Sequence, residues 1–266
     1  MPVFHSLRMR FCALLSSMVC PDEVRLNRNT GLIRLIACIC MVIDHAGKMF
    51  FPHIPEMRMI GRLAFPLFAY GIAAGAVYTR SPVRYLSRIV SLALVSQPLY
   101  AVALAHENRS MYAIPFFENP LSSLWQFYSC SWQKPSILLS LSLGLTIMLC
   151  LRKKQWALAF GVYMLCHRFS GSLDYGMNGI HLMLLFYLFC GHPLAALASV
   201  SLHMLAWSHL DGFSFGLQVY ALPACIFACL PVKGNLHLPR WFVYGFYPAH
   251  LAVIALFVKL PLFFPA

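Results

Sequence analysis

Apolar runs broken by short polar intervals recur from residue 31 to residue 260. A helix crosses a hydrocarbon core of about 30 Å with roughly 20 residues, and shorter runs suffice where neighbouring helices bury them. The pattern predicts spans at 31–51, 59–78, 85–105, 136–151, 155–167, 176–190, 193–208, 216–231 and 242–260. The fold class expected is therefore all-α: a polytopic integral membrane helix bundle with about nine transmembrane helices. Residues 1–30 are expected to form a cytoplasmic N-terminal tail, and residues 31–266 a single transmembrane domain. Arg8 and Arg10 precede a short apolar run, 11–20, but no small-x-small cleavage site follows, so a tail is expected rather than a cleaved signal peptide.

Composition agrees with the hydropathy pattern. The chain is 60% apolar and only 11% charged, whereas a soluble domain carries about 25% charged residues. The net charge of +12 is not a nucleic-acid footprint, because the basic residues punctuate the gaps between apolar runs; the partner it implies is a lipid bilayer. With the N-terminus inside, Arg8, Arg10, Arg25, Arg28, Arg80, Arg84, Arg88, Arg152, Lys153, Lys154, Lys233 and Arg240 fall on the inner side. Arg58, Arg109, Lys134, Arg168 and Lys259 fall on the outer side. That asymmetry predicts an N-in, C-out protein. The ten cysteines are scattered, with no CxxC pair, and read as small buried hydrophobes. The outer loop 106–135 is rich in aromatics and reads either as an interfacial belt or as a partial lid. Gly71 and Gly75 offer a GxxxG packing surface, and Pro66 is expected to kink the second span. No inverted pair of broken helices argues for a transporter.

The polar residues inside the apolar runs carry the candidate chemistry. Asp44 and His45 lie within the first span, and a carboxylate at such a depth costs roughly 2.5–3.5 kcal/mol to insert. Arg62 sits about 6 Å below the outer surface on the second span, so the turn 52–58 lets it meet Asp44. That pair reads as an ion pair pinning the first hairpin, or as part of a site. Adjacent helical positions diverge by about 100°, so His45 faces a different neighbour from Asp44. Its imidazole reads either as a residue hydrogen-bonded to a carbonyl or as a general base or nucleophile. His250 lies in the last span beside Pro248, which is expected to unwind that helix locally. The cluster 174–179 contains Asp174, Tyr175, Gly176 and Gly179. It reads as a helix start capped by Asp174 or as a set of free amides able to hold an oxyanion. His181, His192, His203 and His209 show no metal-ligand spacing, and no metal site is expected.

These residues resemble the TraX family of membrane proteins linked to N-terminal acetylation of conjugative pilin. The resemblance rests on residues 36–80, with Met41, Asp44-His45, Gly47, Phe50, Arg58, Ile60-Gly61-Arg62 and Ala64-Phe65-Pro66. Weaker blocks are 172–179, with Tyr175, Gly176 and Gly179, and 246–251, with Tyr247 and His250. Family members commonly place an acidic residue where Gln97 stands. The family is similar to larger membrane acyltransferases in which an embedded histidine is central. The resemblance implies a membrane N- or O-acetyltransferase of the bacterial inner membrane with acetyl-CoA as acyl donor and no tightly bound cofactor. The acceptor would be a pilin N-terminus or an envelope glycan. It implies His45 as base or acyl carrier, with Asp44 and Arg62 tuning the site. Tyr175, Gly176, Gly179, Tyr247 and His250 would bind substrate or oxyanion. The alternative is a non-enzymatic membrane assembly or partner-binding protein.

Overall fold

The computed structural model describes residues 21, 23–104, 111, 114, 119–210, 216–234 and 236–263. The tail 1–20 and the outer-loop aromatics Tyr112, Phe116 and Phe117 lie outside these residues, whereas Trp125, Phe127, Tyr128 and Trp132 are described. The helices are α1 (Thr30–Met49), α2 (Pro55–Gly61), α3 (Ala64–Tyr78), α4 (Pro82–Ala103), α5 (Pro120–Ser131), α6 (Ile137–Arg152), α7 (Trp156–Arg168), α8 (Gly176–Leu188), α9 (Pro193–Leu210), α10 (Leu222–Cys229) and α11 (Arg240–Phe263). Short 3₁₀ turns at Ser170–Ser172 and Leu217–Ala221 precede α8 and α10. Among the described residues there is no strand. Among the described residues, four segments are long and apolar enough to cross a membrane: α1, α2 with α3 (Pro55–Tyr78), α4, and Trp241–Val258 of α11. α6, α8 and Leu217–Cys229 are shorter apolar helices. The chain is an α-helical membrane protein, and a helix coincides with each apolar run predicted from the sequence.

α3 forms the centre, packed by α1, α6, α8 and α10. Its Ala69, Ala73 and Ala76 are fully buried, because small side chains let several helices approach one axis at once. The two glycines of α3 divide this work. Gly75 lies against the Tyr85 ring of α4, where a Cβ would collide with the phenol. Gly71 faces only the Arg34 side chain. The break between α2 and α3 at Arg62–Leu63 follows from Pro66. Proline has no N–H to return to the carbonyl four residues earlier, and its ring crowds that carbonyl; that residue is Arg62. Pro66 thus frees α2 to tilt as a separate turn and carry its arginines toward α1.

One expectation needs correction here. Pro248 does not unwind its helix: α11 runs unbroken from Arg240 to Phe263. A single missing N–H is tolerated inside a long apolar helix where neighbours support the turn. Residues 23–29, the described end of the expected N-terminal tail, pack against the bundle. Val24, Leu26 and Asn27 are fully buried. The Asn27 amide donates to Phe227 O at 3.0 Å, and the Tyr70 hydroxyl donates to Asn27 O. Backbone bonds join Arg25 to Cys190 and Asn27 to Ala228. The segment is a strap across one end of the bundle. Gln97, fully buried, ties α4 to the start of α6. Its Nε2 donates to Ser131 O at 2.6 Å and Lys134 O at 3.0 Å, while its Oε1 accepts from Ser136 N at 2.8 Å. An ionised carboxylate could only accept, so this position needs the amide.

Candidate functional site

The site begins with a carboxylate between two guanidinium groups. Asp44 projects from α1 toward α2, whose Arg58 and Arg62 are four residues apart and so share a face. Arg58 Nη1 lies 2.6 Å from Asp44 Oδ2, and Arg62 Nη2 lies 3.1 Å from Oδ1. Arg58 Nη1 also donates to the Asp44 carbonyl at 3.2 Å. Gly61 makes the approach feasible: a Cβ there would stand on the Asp44 carboxylate. Gly47 plays the same part on α1, where a Cβ would fall 2.6 Å from Met57 Cβ. Only 14% of the Asp44 side chain and 11% of that of Arg62 are exposed. Arg62 Nε is buried without a hydrogen-bond partner among the described residues.

His45 turns the other way, toward α11. Its Nδ1 lies 3.0 Å from His250 Nε2, and the rings stack at 5.1 Å between centroids and 17° between planes. His250 Nδ1 lies 3.1 Å from Phe246 O. A carbonyl only accepts, so His250 carries its proton on Nδ1 and presents a lone pair at Nε2. With both rings neutral, His45 must then donate from Nδ1. The consequence is a fixed tautomer: the lone pair of His45 is on Nε2. Phe246 also stacks on His250, at 5.6 Å between centroids and 18° between planes.

Asp44, His45 and Arg62 line one cavity of about 440 Å³, together with Lys48, Arg58, Tyr100, Asp174, Tyr175, Asn178, Trp207 and Tyr247. Among the described residues on its lining, three cations face two carboxylates, so the cavity favours an anionic or electron-rich ligand. Asp174 stands in the turn before α8, outside the spans. The residue is exposed at the mouth of the cavity, where desolvation by the walls pushes its carboxyl above the ordinary carboxylate value, against the opposing pull of Lys48 and Arg62. It does not cap α8; Tyr175 occupies the cap position and makes no side-chain cap bond. Tyr175 instead stacks on Phe65 at 4.1 Å and 15°, with Trp207 edge-on at 5.7 Å. Gly179 permits that stack, since a Cβ there would meet Tyr175 Cβ at 2.9 Å and Phe65 Cζ at 3.1 Å.

The cluster 174–179 therefore divides. Tyr175 lines the cavity, while Gly176 and Gly179 do not. The Gly176 amide donates to Leu173 O and the Gly179 amide to Tyr175 O, both at 3.1 Å. Neither is free to hold an oxyanion, and Gly176 serves the backbone with its φ of +52°. Tyr247 reaches the cavity wall, and His250 stands behind His45. Sequence reasoning missed Lys48, Arg58 and Asp174 as parts of the site. The spacing Arg58–Arg62 carried a signal for one of them; the polar cluster 174–179 carried one for Asp174, which was read there only as a helix cap. His203 and His181 are settled elsewhere, His203 Nε2 donating to Asn178 O at 3.0 Å and His181 Nε2 pairing with the Tyr163 hydroxyl at 2.9 Å.

Comparison with known proteins gives a family and two relatives. A family model described as TraX protein matches residues 29–258, which includes every cavity residue named above. A probable fimbrial assembly protein FimC, serogroup H1, of Dichelobacter nodosus is 23% identical over 242 residues, covering 84% of this chain and 92% of that protein. An uncharacterized protein of Rickettsia prowazekii (strain Madrid E) is 44% identical over 39 residues, 15% of this chain and 16% of that protein. No solved structure matches.

Proposed function

This chain belongs to the TraX family, and from that premise we propose that it is a membrane-embedded acetyltransferase. It moves an acetyl group from acetyl-CoA to an amine or hydroxyl of a pilin or envelope-glycan acceptor. The observation that carries the reading is the His45–His250–Phe246 relay at the edge of a polar cavity inside an apolar bundle. A relay that fixes the tautomer leaves one ring nitrogen as a base of defined position, the need of general-base catalysis. His45 Nε2 takes the proton of the attacking amine or hydroxyl as its lone pair bonds to the thioester carbonyl carbon. The carbon–sulfur bond then breaks, and the coenzyme A thiolate leaves with that proton. Arg62 Nε, buried and unpaired among the described residues, is the donor suited to the oxygen on which negative charge develops. Asp44 holds both arginines in place.

The same reading makes residues 31–266 one transmembrane domain with about nine crossings, N-terminus inside, in a bacterial inner membrane. The donor arrives from the cytoplasmic side. The name of the Dichelobacter nodosus relative, a fimbrial assembly protein, supports a fimbrial subunit as acceptor. It also favours the second reading, a non-enzymatic assembly factor in which the polar residues only pin helices.

The test is acetyl transfer from radiolabelled acetyl-CoA to a fimbrial-subunit peptide with a free N-terminal amine, using the full chain in proteoliposomes. The enzyme reading expects label on the peptide amine, lost in His45→Gln while insertion is unchanged. Fimbrial assembly unaffected by His45→Gln would overturn it in favour of the assembly factor.

A further inference from the structure

A second cavity, of about 110 Å³, lies beside the polar one and has a different character. Cys38, Ile72, Ile89, Leu92, Leu141 and Phe242 give it an apolar wall drawn from α1, α3, α4, α6 and α11. Among the described residues, the one charged residue on its lining is Arg34. Met41, Phe68, Ile137 and Tyr247 line both cavities, so these four side chains form the partition between them.

Arg34 sits four residues inside α1, about 6 Å from its start. Among the described residues, no carboxylate lies within ion-pair distance of it and no hydrogen bond to it is recorded. A guanidinium inside a membrane span without a counter-ion is costly, and here it borders a cavity lined by hydrocarbon. Arg80, Arg84 and Arg88, at the same end of the bundle, are exposed and raise the local positive potential. An anion on an apolar chain satisfies both halves of the site. The two amides of a pantetheine arm would find few partners on these walls, which disfavours a coenzyme A thioester.

We propose that this cavity binds an anionic phospholipid, with the headgroup phosphate on Arg34 and one acyl chain in the apolar slot, its tip against the partition beside Tyr247. Guanidinium–phosphate contacts are bidentate and charge-assisted, so the head selects for anionic lipid. The chain supports the wall that carries Tyr247 toward the acyl-transfer cavity. The proposal does not rest on acyl transfer, because its readout is binding.

The full chain is reconstituted in nanodiscs of equal phosphatidylglycerol and phosphatidylcholine, released, and weighed by native mass spectrometry for retained lipid. One phosphatidylglycerol should stay with the wild type. Arg34→Gln should lower that retention at least about tenfold, and Arg34→Lys should recover part of it. Gly71→Leu fills the slot at Arg34, since a Cβ on Gly71 meets only the Arg34 side chain, at 4.0 Å; it should abolish retention. All variants are checked for unchanged thermal unfolding, and His45→Gln should retain lipid as the wild type does. Equal retention of phosphatidylcholine, retention indifferent to Arg34→Gln and Gly71→Leu, or saturable acetyl-CoA binding that depends on Arg34 in place of lipid would each overturn the proposal.

Discussion

His45 and His250 lie 205 positions apart in sequence, yet their rings stack within 17° of parallel and share a hydrogen bond of 3.0 Å. The contact joins α1 to α11 and passes on through His250 to the carbonyl of Phe246. Because that carbonyl cannot donate, the direction of the relay is fixed from its far end. A histidine one position from a buried ion pair thus gains its orientation from another helix, and Asp44 stays committed to Arg58 and Arg62.

Replacing His250 with Phe keeps the ring shape and the stack on Phe246 but removes the acceptor for His45 Nδ1–H. His45 is then free to change tautomer. Acyl transfer should fall in kcat by about 10–100-fold with KM little changed, because His250 acts through His45. His45→Gln, which removes the base itself, should cost about 10²–10⁴-fold. Steady-state kinetics on proteoliposomes distinguishes the two. Equal rates for His250→Phe and wild type would remove the relay from the mechanism.

Asp44→Asn leaves two guanidinium groups facing a neutral amide in a buried place. Breaking a buried pair by removing one partner costs about 3–5 kcal/mol. Asp44→Asn should therefore lower the unfolding temperature in detergent by many degrees. Adding Arg62→Gln should cost less than the sum of the two single changes, with a coupling of about 0.5–3 kcal/mol. Strict additivity would mean that the pair is solvated and weak.

Gly61→Ala puts a methyl group on the Asp44 carboxylate. Either α2 moves away from α1 or Asp44 leaves its arginines. A loss of about 1–3 kcal/mol is expected, the usual cost of overpacking, along with loss of transfer. Gly161→Ala in α7 is the matched control, since a Cβ there meets nothing within 4 Å. It should stabilise by about 0.4–1 kcal/mol. Urea or thermal unfolding of both variants checks the contrast.

The sequence made the helices legible, because apolar runs of this length have few other structures in a bilayer. It also made the Asp44–Arg62 meeting legible, through helix rise and a short turn. Arg58 was within reach by its spacing from Arg62. The buried strap at residues 23–29 was not, because Val24, Leu26 and Asn27 alternate with exposed charged residues and show no helical period. The His45–His250 contact was not legible either: nothing local in α1 states which helix packs on the face that His45 presents. Gln97 shows a further limit. Nothing in the sequence around it states that its amide donates to the Ser131 and Lys134 carbonyls.

Asp174 gives the site a pH dependence whose sign can be worked out. Desolvation by the cavity walls raises its carboxyl above the ordinary value of 3.8, while Lys48, Arg62 and Arg58 pull it down and Asp44 pushes it up; the exposed position of the residue screens all of these and keeps the effect small. The folded protein therefore holds this proton more tightly than the unfolded chain. Its stabilising contribution is complete below about pH 4 and is lost as pH rises through the raised folded value. Asp174→Asn removes the titration and keeps the shape. The variant should match the wild type in unfolding temperature near pH 4 and exceed it increasingly toward pH 7. Thermal unfolding of both proteins across that range measures the difference. A variant less stable than the wild type at neutral pH would mean that the cations around Asp174 outweigh its desolvation, reversing the sign.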